Sequence, residues 1–575
     1  MLGTLRQYKH IILLVAILLL ATFVRMVWIN AIPMSLNLDE LYYVIHAKSF
    51  FYTGKDLYQT IPLWKVFLFQ YPSHGMPQAE LPFLFQTLLS GFPATFFIQA
   101  VPNILMSVGS VFCLYQIGNT LFNRRVGLIA ALCMAINPWS IFISRTSYEV
   151  VGAVFFILAG YVIILRMRGV RILFSIPLFV FAFYSYIGTK ILIVPFLCIF
   201  FIGNYFLYHR KKDIIWHSIV VFFFIALSIF YYLRIADGST ARLGEIATPI
   251  SPIIAKQVND IRSVTIVHPF ISAFINKYSV FGSVLVRLFF QAISPLYLFF
   301  EGDYISALGN QGLFYAIDFL FLLIGFAQLG KQHKRHFWII IVTCLVATIP
   351  QLIHDATGQG GNFSPHIAVL IPFFILIIGY GIAEAIRELM KKKWIVVVMM
   401  IGILYSFQLA GFIQSYFFQY PFHNGLFNLT SHVMTQYVSR SKTPIVVYAV
   451  NPVLTYTHYI YNENMFTKEN AAAIMLSYQN GIYTLGNVSF RSCDDALTSL
   501  SDPSTKVIDS DCGKKLPLSV SRIPRPLDGS ASLEIYQDEL CKPYELRPFF
   551  LGLNARTLHM TTLSDQEFCQ TFIIH

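Results

Sequence analysis

The chain is built around apolar runs long enough to cross a bilayer. They cover approximately residues 11–29, 93–120, 126–143, 150–167, 172–187, 189–208, 214–233, 312–330, 337–353, 366–385 and 394–412. Each approaches the roughly 20 residues that an α-helix needs to traverse ~30 Å of hydrocarbon. Backbone amides have no water to bond there, so helices are the structure these runs dictate. Eleven runs predict a polytopic α-helical membrane protein, with a range of 10–13 because some neighbours are barely separated. Composition agrees: 56% of the 575 residues are hydrophobic, 12% are charged, and the mean hydropathy is +0.62. Soluble domains carry about one quarter charged residues. A purely soluble enzyme, a disordered scaffold and a nucleic-acid-binding protein are excluded, despite a net charge of +12.

Where that charge sits gives the topology. Alternate connections are basic: Arg124/Arg125, Arg166/Arg168/Arg171, Arg210/Lys211/Lys212, Lys331/Lys334/Arg335 and Arg387/Lys391/Lys392/Lys393, together with Arg6 and Lys9 before the first run. The intervening turns hold little beyond Arg145, Lys190 and a few histidines. The positive-inside rule then places the N-terminus in the cytoplasm of a plasma-membrane protein. No small-residue cleavage site follows the first run, which reads as a retained helix rather than a signal peptide. An odd number of helices puts the C-terminus outside, together with residues 30–92 and 234–311 as long external loops. Small external loops surround Ser140–Glu149, Tyr184–Lys190 and His354–His366.

Cysteines point the same way. Cys113, Cys133, Cys198 and Cys344 lie in apolar runs and read as small buried hydrophobes. Cys493, Cys512, Cys541 and Cys569 all fall in the polar C-terminal stretch, which suggests two disulfides in an oxidising compartment. Free thiols in a cytosolic tail are the alternative. The boundary is expected near 412, with a transmembrane part over 1–412 and an extracytoplasmic part over 413–575. In the latter, Pro444–Val450, Val507–Asp509 and Ser532–Tyr536 read as strands, and Asn451–Tyr461 and Lys468–Tyr478 as helices, which predicts a small α/β domain. It could dock substrate or simply cap the active face.

Most of the Asp, Glu and His residues suited to chemistry lie on the expected external face. Asp39 and Glu40 are adjacent carboxylates just past the first run, in DELYYVIHAKSFFYTGKD (Asp39–Asp56). A solvated helix cap is the plain reading, because a carboxylate at a helix exit costs less than one at a bilayer centre. Four further segments combine polar and aromatic residues: NPWSIFISRTSYE (Asn137–Glu149), YSYIGTK (Tyr184–Lys190), SPLYLFFEGD (Ser294–Asp303) followed by GNQGLFY (Gly309–Tyr315), and SPHIAVLIP (Ser364–Pro372). In this order, over about residues 11–410, they resemble the membrane glycosyltransferases of the GT-C fold. The likeness is to bacterial members of glycosyltransferase family 39, the protein O-mannosyltransferase-like group. Two departures stand out. The first loop ends in Met76–Glu80 (MPQAE) where the family often has Lys-Pro-Pro, and Ile367, Ala368 and Val369 follow Pro365–His366 where the family often has an Arg.

That resemblance implies transfer of a sugar, mannose among the candidates, from a polyprenyl-phosphate carrier to an external acceptor hydroxyl on a protein, lipid or glycan. A lipid phosphate is already a good leaving group, so the chemistry needs a base for the hydroxyl and cations for the departing phosphate. By the match, Asp39 is the expected base, with Glu40 orienting or structural. Arg145, Lys190 and His366 are the expected donor-phosphate ligands. Against these stand an i,i+4 pair of Arg145 with Glu149, a snorkelling Lys190, and a helix-capping His366. His74, Glu80, Tyr184, Tyr186, Glu301 and Asp303 are candidate substrate contacts, and His74 or Glu80 could instead serve a metal. No spacing demands a metal, so no cofactor is assigned and a divalent ion stays open. A sugar-nucleotide donor is disfavoured because no Gly-rich strand–loop–helix is present. The competing classes are a polytopic transporter or lipid flippase and a non-catalytic assembly protein. A transporter should show mid-membrane ionisable residues, broken helices and related halves; the charges here cluster at helix ends.

Overall fold

The computed structural model describes residues 2–33, 36–70, 79–208, 211–236, 252–303, 311–354, 362–423, 429–497, 504–513, 521–525, 529–545, 557 and 559–574. They form two compact units. The first comprises Met1–Val27, Phe67–Leu81 and Pro102–Gln414; the second comprises Trp28–Val66, Pro82–Val101 and Ser415–His575.

Among the described residues of the chain, eight helices are long and apolar enough to cross a membrane: Lys9–Met26, Phe96–Leu121, Ile187–Tyr208, Lys211–Arg234, Ile271–Ala292, Lys334–Ile353, Leu370–Glu388 and Val398–Gln419. A ninth is the pair Arg124–Ile136 and Pro138–Ser144, bent by 57°. This is a multi-pass membrane protein. Val150–Arg166 and Gly169–Ser185 are apolar but shorter, and Ala316–Gln332 has 17 residues. Ile271–Ala292 falls inside the segment expected to be an external loop.

The expected spans 366–385 and 394–412 belong to one helical run, Leu370–Ile413. Its two halves nevertheless meet the same partner. A Cβ on Gly381 would lie 2.0 Å from the Phe321 carbonyl oxygen, while the Tyr405 ring stacks on the Phe321 ring at 6.3 Å. A straight helix would hold residues 381 and 405 ~36 Å apart. The run therefore folds back on itself between them, in the stretch that holds Arg387, Lys391, Lys392 and Lys393. The crossing depends on glycine, since a Cβ on Gly325 would also sit 2.3 Å from the Ile377 carbonyl oxygen. Small residues that let backbones approach this closely substitute for a hydrophobic driving force between membrane helices.

The second unit holds a six-stranded sheet of order β2-β3-β1-β4-β6-β5. Its strands are β1 (Ile445–Ala449), β2 (Tyr483–Leu485), β3 (Val488–Ser492), β4 (Thr505–Asp509), β5 (Ser521–Pro524) and β6 (Ala531–Tyr536). β1 pairs in parallel with β3 and β4, and the outer pairs are antiparallel. Side chains alternate between faces, so the register lines up Val447, Phe490, Val507 and Ile535 on one face. They enter a large core with Tyr456 and Ile460 of helix Pro452–Asn462, and with Leu41, Val44 and Ile45 of helix Leu38–Thr53. Part of the expected first external loop thus shares its core with the C-terminal stretch. The opposite face carries only a small cluster of Val446, Tyr448, Ile508 and Tyr536. Disulfides join Cys493 to Cys512 and Cys541 to Cys569.

Candidate active site

In the α/β unit, Asn37 opens helix Leu38–Thr53 with a capping box. Its side-chain oxygen accepts from the Glu40 amide at 3.0 Å, and the Glu40 carboxylate accepts from the Asn37 amide at 3.1 Å. This arrangement satisfies two helix N–H groups that would otherwise lack partners. Glu40 is fully buried by this role, whereas Asp39, one residue earlier, is exposed in the same first turn. The adjacent carboxylates are separated in function by helix geometry, since successive side chains point about 100° apart. Further along, His46 is buried beneath Tyr42, ring centroids 4.1 Å apart, and accepts from the Leu57 amide through Nδ1 at 3.4 Å. Burial holds its pKa down at about 3. Asp56 closes the following turn by accepting from the Thr60 hydroxyl and the Ile61 amide.

In the membrane unit, the end of the first loop is fastened to the YSYIGTK segment. The Glu80 amide donates to the Tyr184 carbonyl at 3.0 Å, the Tyr184 hydroxyl donates to the Phe67 carbonyl at 3.1 Å, and Phe69 stacks on Tyr184 at 5.5 Å. This places the Glu80 carboxylate 2.7 Å from the Lys190 ammonium, both side chains essentially inaccessible to solvent. Lys190 also lies over the Phe183 and Tyr231 rings at 5.6 and 5.1 Å, and the Glu149 carboxylate acts on it electrostatically. Lys190 does not snorkel; it is a buried, paired cation. A few residues away, the Tyr186 hydroxyl shares a 2.5 Å hydrogen bond with His366 Nδ1. Asp303 is buried and accepts from the Ser364 amide at 2.7 Å, holding the SPH turn. Glu301 is exposed at the end of the preceding turn. His74 lies outside the described residues.

Sequence reasoning missed Arg25. Its signal was available: an arginine in the last turn of the first apolar helix, fully buried in the structure. Pro138 cannot donate to the Met134 carbonyl, so the helix breaks and frees carbonyl oxygens. Arg25 takes them up, donating to Ala135 at 2.9 Å and Met134 at 3.3 Å, and it also bonds the Ser107 and Ser140 hydroxyls. The Tyr315 hydroxyl takes the Ile136 carbonyl. Arg145, at the end of the second half-helix, reaches back to the carbonyls of Val24 and Arg25 at 3.3 and 3.1 Å. The two arginines interlock the end of the first helix with the broken pair. Asn103 secures the next turn by donating to the carbonyls of Thr146 and Tyr148. Among the described residues, no group of three or more His, Cys, Asp or Glu side chains is placed to hold a metal ion.

Residues 82–232 match the dolichyl-phosphate-mannose-protein mannosyltransferase family. The matched region contains Arg145, Tyr184, Tyr186 and Lys190 and ends before Asp303 and His366. No curated protein matches the chain. Among solved structures, the oligosaccharyltransferase of Archaeoglobus fulgidus tethered to an acceptor peptide is similar at 12% identity and a TM-score of 0.47. That match covers 82% of this chain and 64% of the oligosaccharyltransferase, so the chain spans less than two thirds of its length. ArnT from Cupriavidus metallidurans is similar at 10% identity over 92% of this chain and 98% of ArnT, with TM-scores of 0.46 for the apo state and 0.43 for the form bound to undecaprenyl phosphate.

Proposed function

We propose that this protein is a membrane glycosyltransferase that moves a sugar from a polyprenyl-phosphate carrier to an acceptor hydroxyl on the extracytoplasmic side. The observation that carries the reading is the convergence of Glu80, Lys190, Tyr184, Tyr186, His366 and Asp303 in the membrane unit. Four separate stretches of sequence supply them, one lying in the region that matches the mannosyltransferase family. Mannose and a protein are the donor sugar and acceptor to test first, since they are what the family's description names.

In this reading the acceptor oxygen bonds to the anomeric carbon of the sugar. The bond from that carbon to the carrier phosphate breaks, and its electron pair leaves on the phosphate. The hydroxyl proton passes to a base, a transfer worth roughly 10²–10⁴-fold in rate. That base is assigned to Asp39 on the likeness of its segment to the family alone. Asp39 suits the role because it is exposed, whereas the Glu40 carboxylate is committed to capping. Lys190 offers positive charge to the leaving phosphate, which competes with Glu80 for the ammonium. His366, fixed by Tyr186, donates to a phosphate oxygen, and Arg145 adds a second cation. The paired cysteines and the basic alternate connections support an extracytoplasmic α/β unit and a cytoplasmic N-terminus in the cell membrane.

A transport reading draws its support from ionisable groups within the bundle. Asp318 is such a group, but it accepts from the Tyr315 amide at the start of its own helix and bonds the Tyr405 hydroxyl, so a structural role accounts for it. The test is incubation of membranes with radiolabelled polyprenyl-phosphate-mannose and then a pool of polyprenyl-phosphate sugars. Label leaving the carrier for a protein, lipid or glycan supports the proposal. No transfer from any donor by folded protein overturns it.

A further inference from the structure

The segment expected to be a large external loop contains a helical hairpin. Helices Pro252–Ser263 and Lys277–Ala292 pack along a seam of Ile254, Val258, Val280, Val284 and Leu288. Arg262, at the end of the first helix, donates through Nε and Nη2 to the Ile275 carbonyl at 2.9 and 2.6 Å, just before the second helix begins. The helices therefore run back on each other, and the two ends of the hairpin lie together.

The tip carries VTIVHPFISAF (264–274). Val264, Ile266 and Val267 are 86, 89 and 86% exposed, and Phe270, Phe274 and Tyr278 are largely exposed as well. A contiguous apolar surface of this kind marks an interaction site. Its partner follows from three constraints. The chain enters the membrane both before and after the hairpin, so the hairpin stays near the bilayer. Ile271–Ala292 is long and apolar enough to cross, yet crossing is disfavoured. Residues 264–270 have non-helical backbone, which is not tolerated when exposed to hydrocarbon. Asn276 and Lys277 would also sit inside the span, where the Asn276 side chain caps the second helix. Finally, the hairpin holds Lys256, Arg262, Lys277 and Arg287 against the single acidic residue Asp260. Basic amphipathic helices with apolar faces lie in the headgroup–acyl boundary of anionic membranes, buried ~5–10 Å. There the irregular backbone can bond water and headgroups while the apolar side chains leave water.

We propose that hairpin 252–292 is an interfacial anchor whose tip inserts into one leaflet of an anionic phospholipid bilayer, with both ends emerging on the same face. Its base carries the consequence. Asn362 donates to the Gln291 carbonyl at 3.2 Å, and Leu352 packs on the seam. The anchor thereby holds the segment bearing Ser364 and His366 at the depth of lipid phosphates.

The test uses the full chain in vesicles of phosphatidylethanolamine and phosphatidylglycerol, with a fluorophore on Val267→Cys, Phe270→Cys or Lys256→Cys. Signals are read above the unsubstituted chain. The tip side chains are exposed, so their replacement leaves the packed seam intact. The expected result is at least threefold stronger quenching of both tip labels than of the base label by lipids spin-labelled near the headgroup. Reaction of the tip cysteines with a water-soluble maleimide should be at least tenfold slower than that of the base cysteine. Tip labels that are unquenched and react as fast as the base overturn the proposal. So do tip cysteines that react only from the side opposite the base, which would make the segment a crossing. Neither readout depends on sugar transfer, so failure here is separable from failure of the proposed activity.

Discussion

The membrane unit and the α/β unit bury polar groups under different rules. In the membrane unit, Arg25, Arg145, Lys190 and Glu80 are buried charges, each engaged by carbonyls, hydroxyls or an opposite charge. In the α/β unit the large core is aliphatic and aromatic, and the chain is closed by two disulfides. Where lipid replaces water, an unpaired charge has no refuge at the surface, so stability is concentrated in a few irreplaceable pairs. In the α/β unit it is spread over many contacts.

The largest effect should come from splitting a buried pair. Lys190→Met leaves Glu80 charged and buried, and breaking such a pair costs about 3–5 kcal/mol. Adding Glu80→Gln should recover much of the loss, read as unfolding by denaturant in detergent. If the double variant is no better than the single, the pair is not the source. Arg25→Leu strands the carbonyls of Met134 and Ala135 and should cost about 3 kcal/mol, from charge-assisted hydrogen bonds worth about 1.5–3 kcal/mol each. Arg25→Lys should recover only part, because an ammonium lacks the guanidinium fork.

In the α/β unit, Cys569→Ser opens the 28-residue loop to Cys541 and should cost about 3.6 kcal/mol by chain entropy. Lowering the pH from 8 to 5 should act on the same unit. Burial holds the His46 pKa at about 3 and the His458 pKa at about 4. The folded unit keeps both neutral while the unfolded chain takes up protons below about 6.5, so stability is full above that value and falls as pH drops toward 4 and 3. At pH 5 the loss is about 2 kcal/mol per histidine. Burial raises the Glu463 and Asp509 carboxyls, which act in the opposite sense, so the decisive comparison is with His46→Asn, which should flatten the pH dependence. The smallest effect is Glu40→Gln, which retains an acceptor for the Asn37 amide and should change stability by less than about 1 kcal/mol.

Local signals were legible in the sequence and long-range ones were not. Apolar runs located most of the membrane helices, and the basic stretch around Lys391 marked where the last helical run turns back. Ile271–Ala292 does not stand out as an apolar run because Asn276 and Lys277 interrupt its pattern. β1, β4 and β6 were readable from their hydrophobic residues; β2, β3 and β5 are short or carry polar residues, and their pairing partners supply what their composition does not. Asp39 and Glu40 were visible as a pair, but the division between exposed and capping carboxylate needed the helix start at Asn37. Glu80 and Lys190 each suggest a different task when read from the sequence. Their pairing spans 110 residues of sequence, and no local pattern encodes it. Arg25 does not stand out in the sequence because an arginine at a helix end usually faces water or headgroups.

The most direct test of the account sets adjacent carboxylates against each other. Asp39→Asn and Glu40→Gln proteins, matched for thermal unfolding, are assayed for transfer of label from polyprenyl-phosphate-mannose or whichever polyprenyl-phosphate sugar the wild type uses. Turnover is expected to fall at least 100-fold in Asp39→Asn and to stay near the wild-type value in Glu40→Gln. Full activity in Asp39→Asn would contradict Asp39 as the base, and activity lost only in Glu40→Gln would reverse the roles assigned to the two.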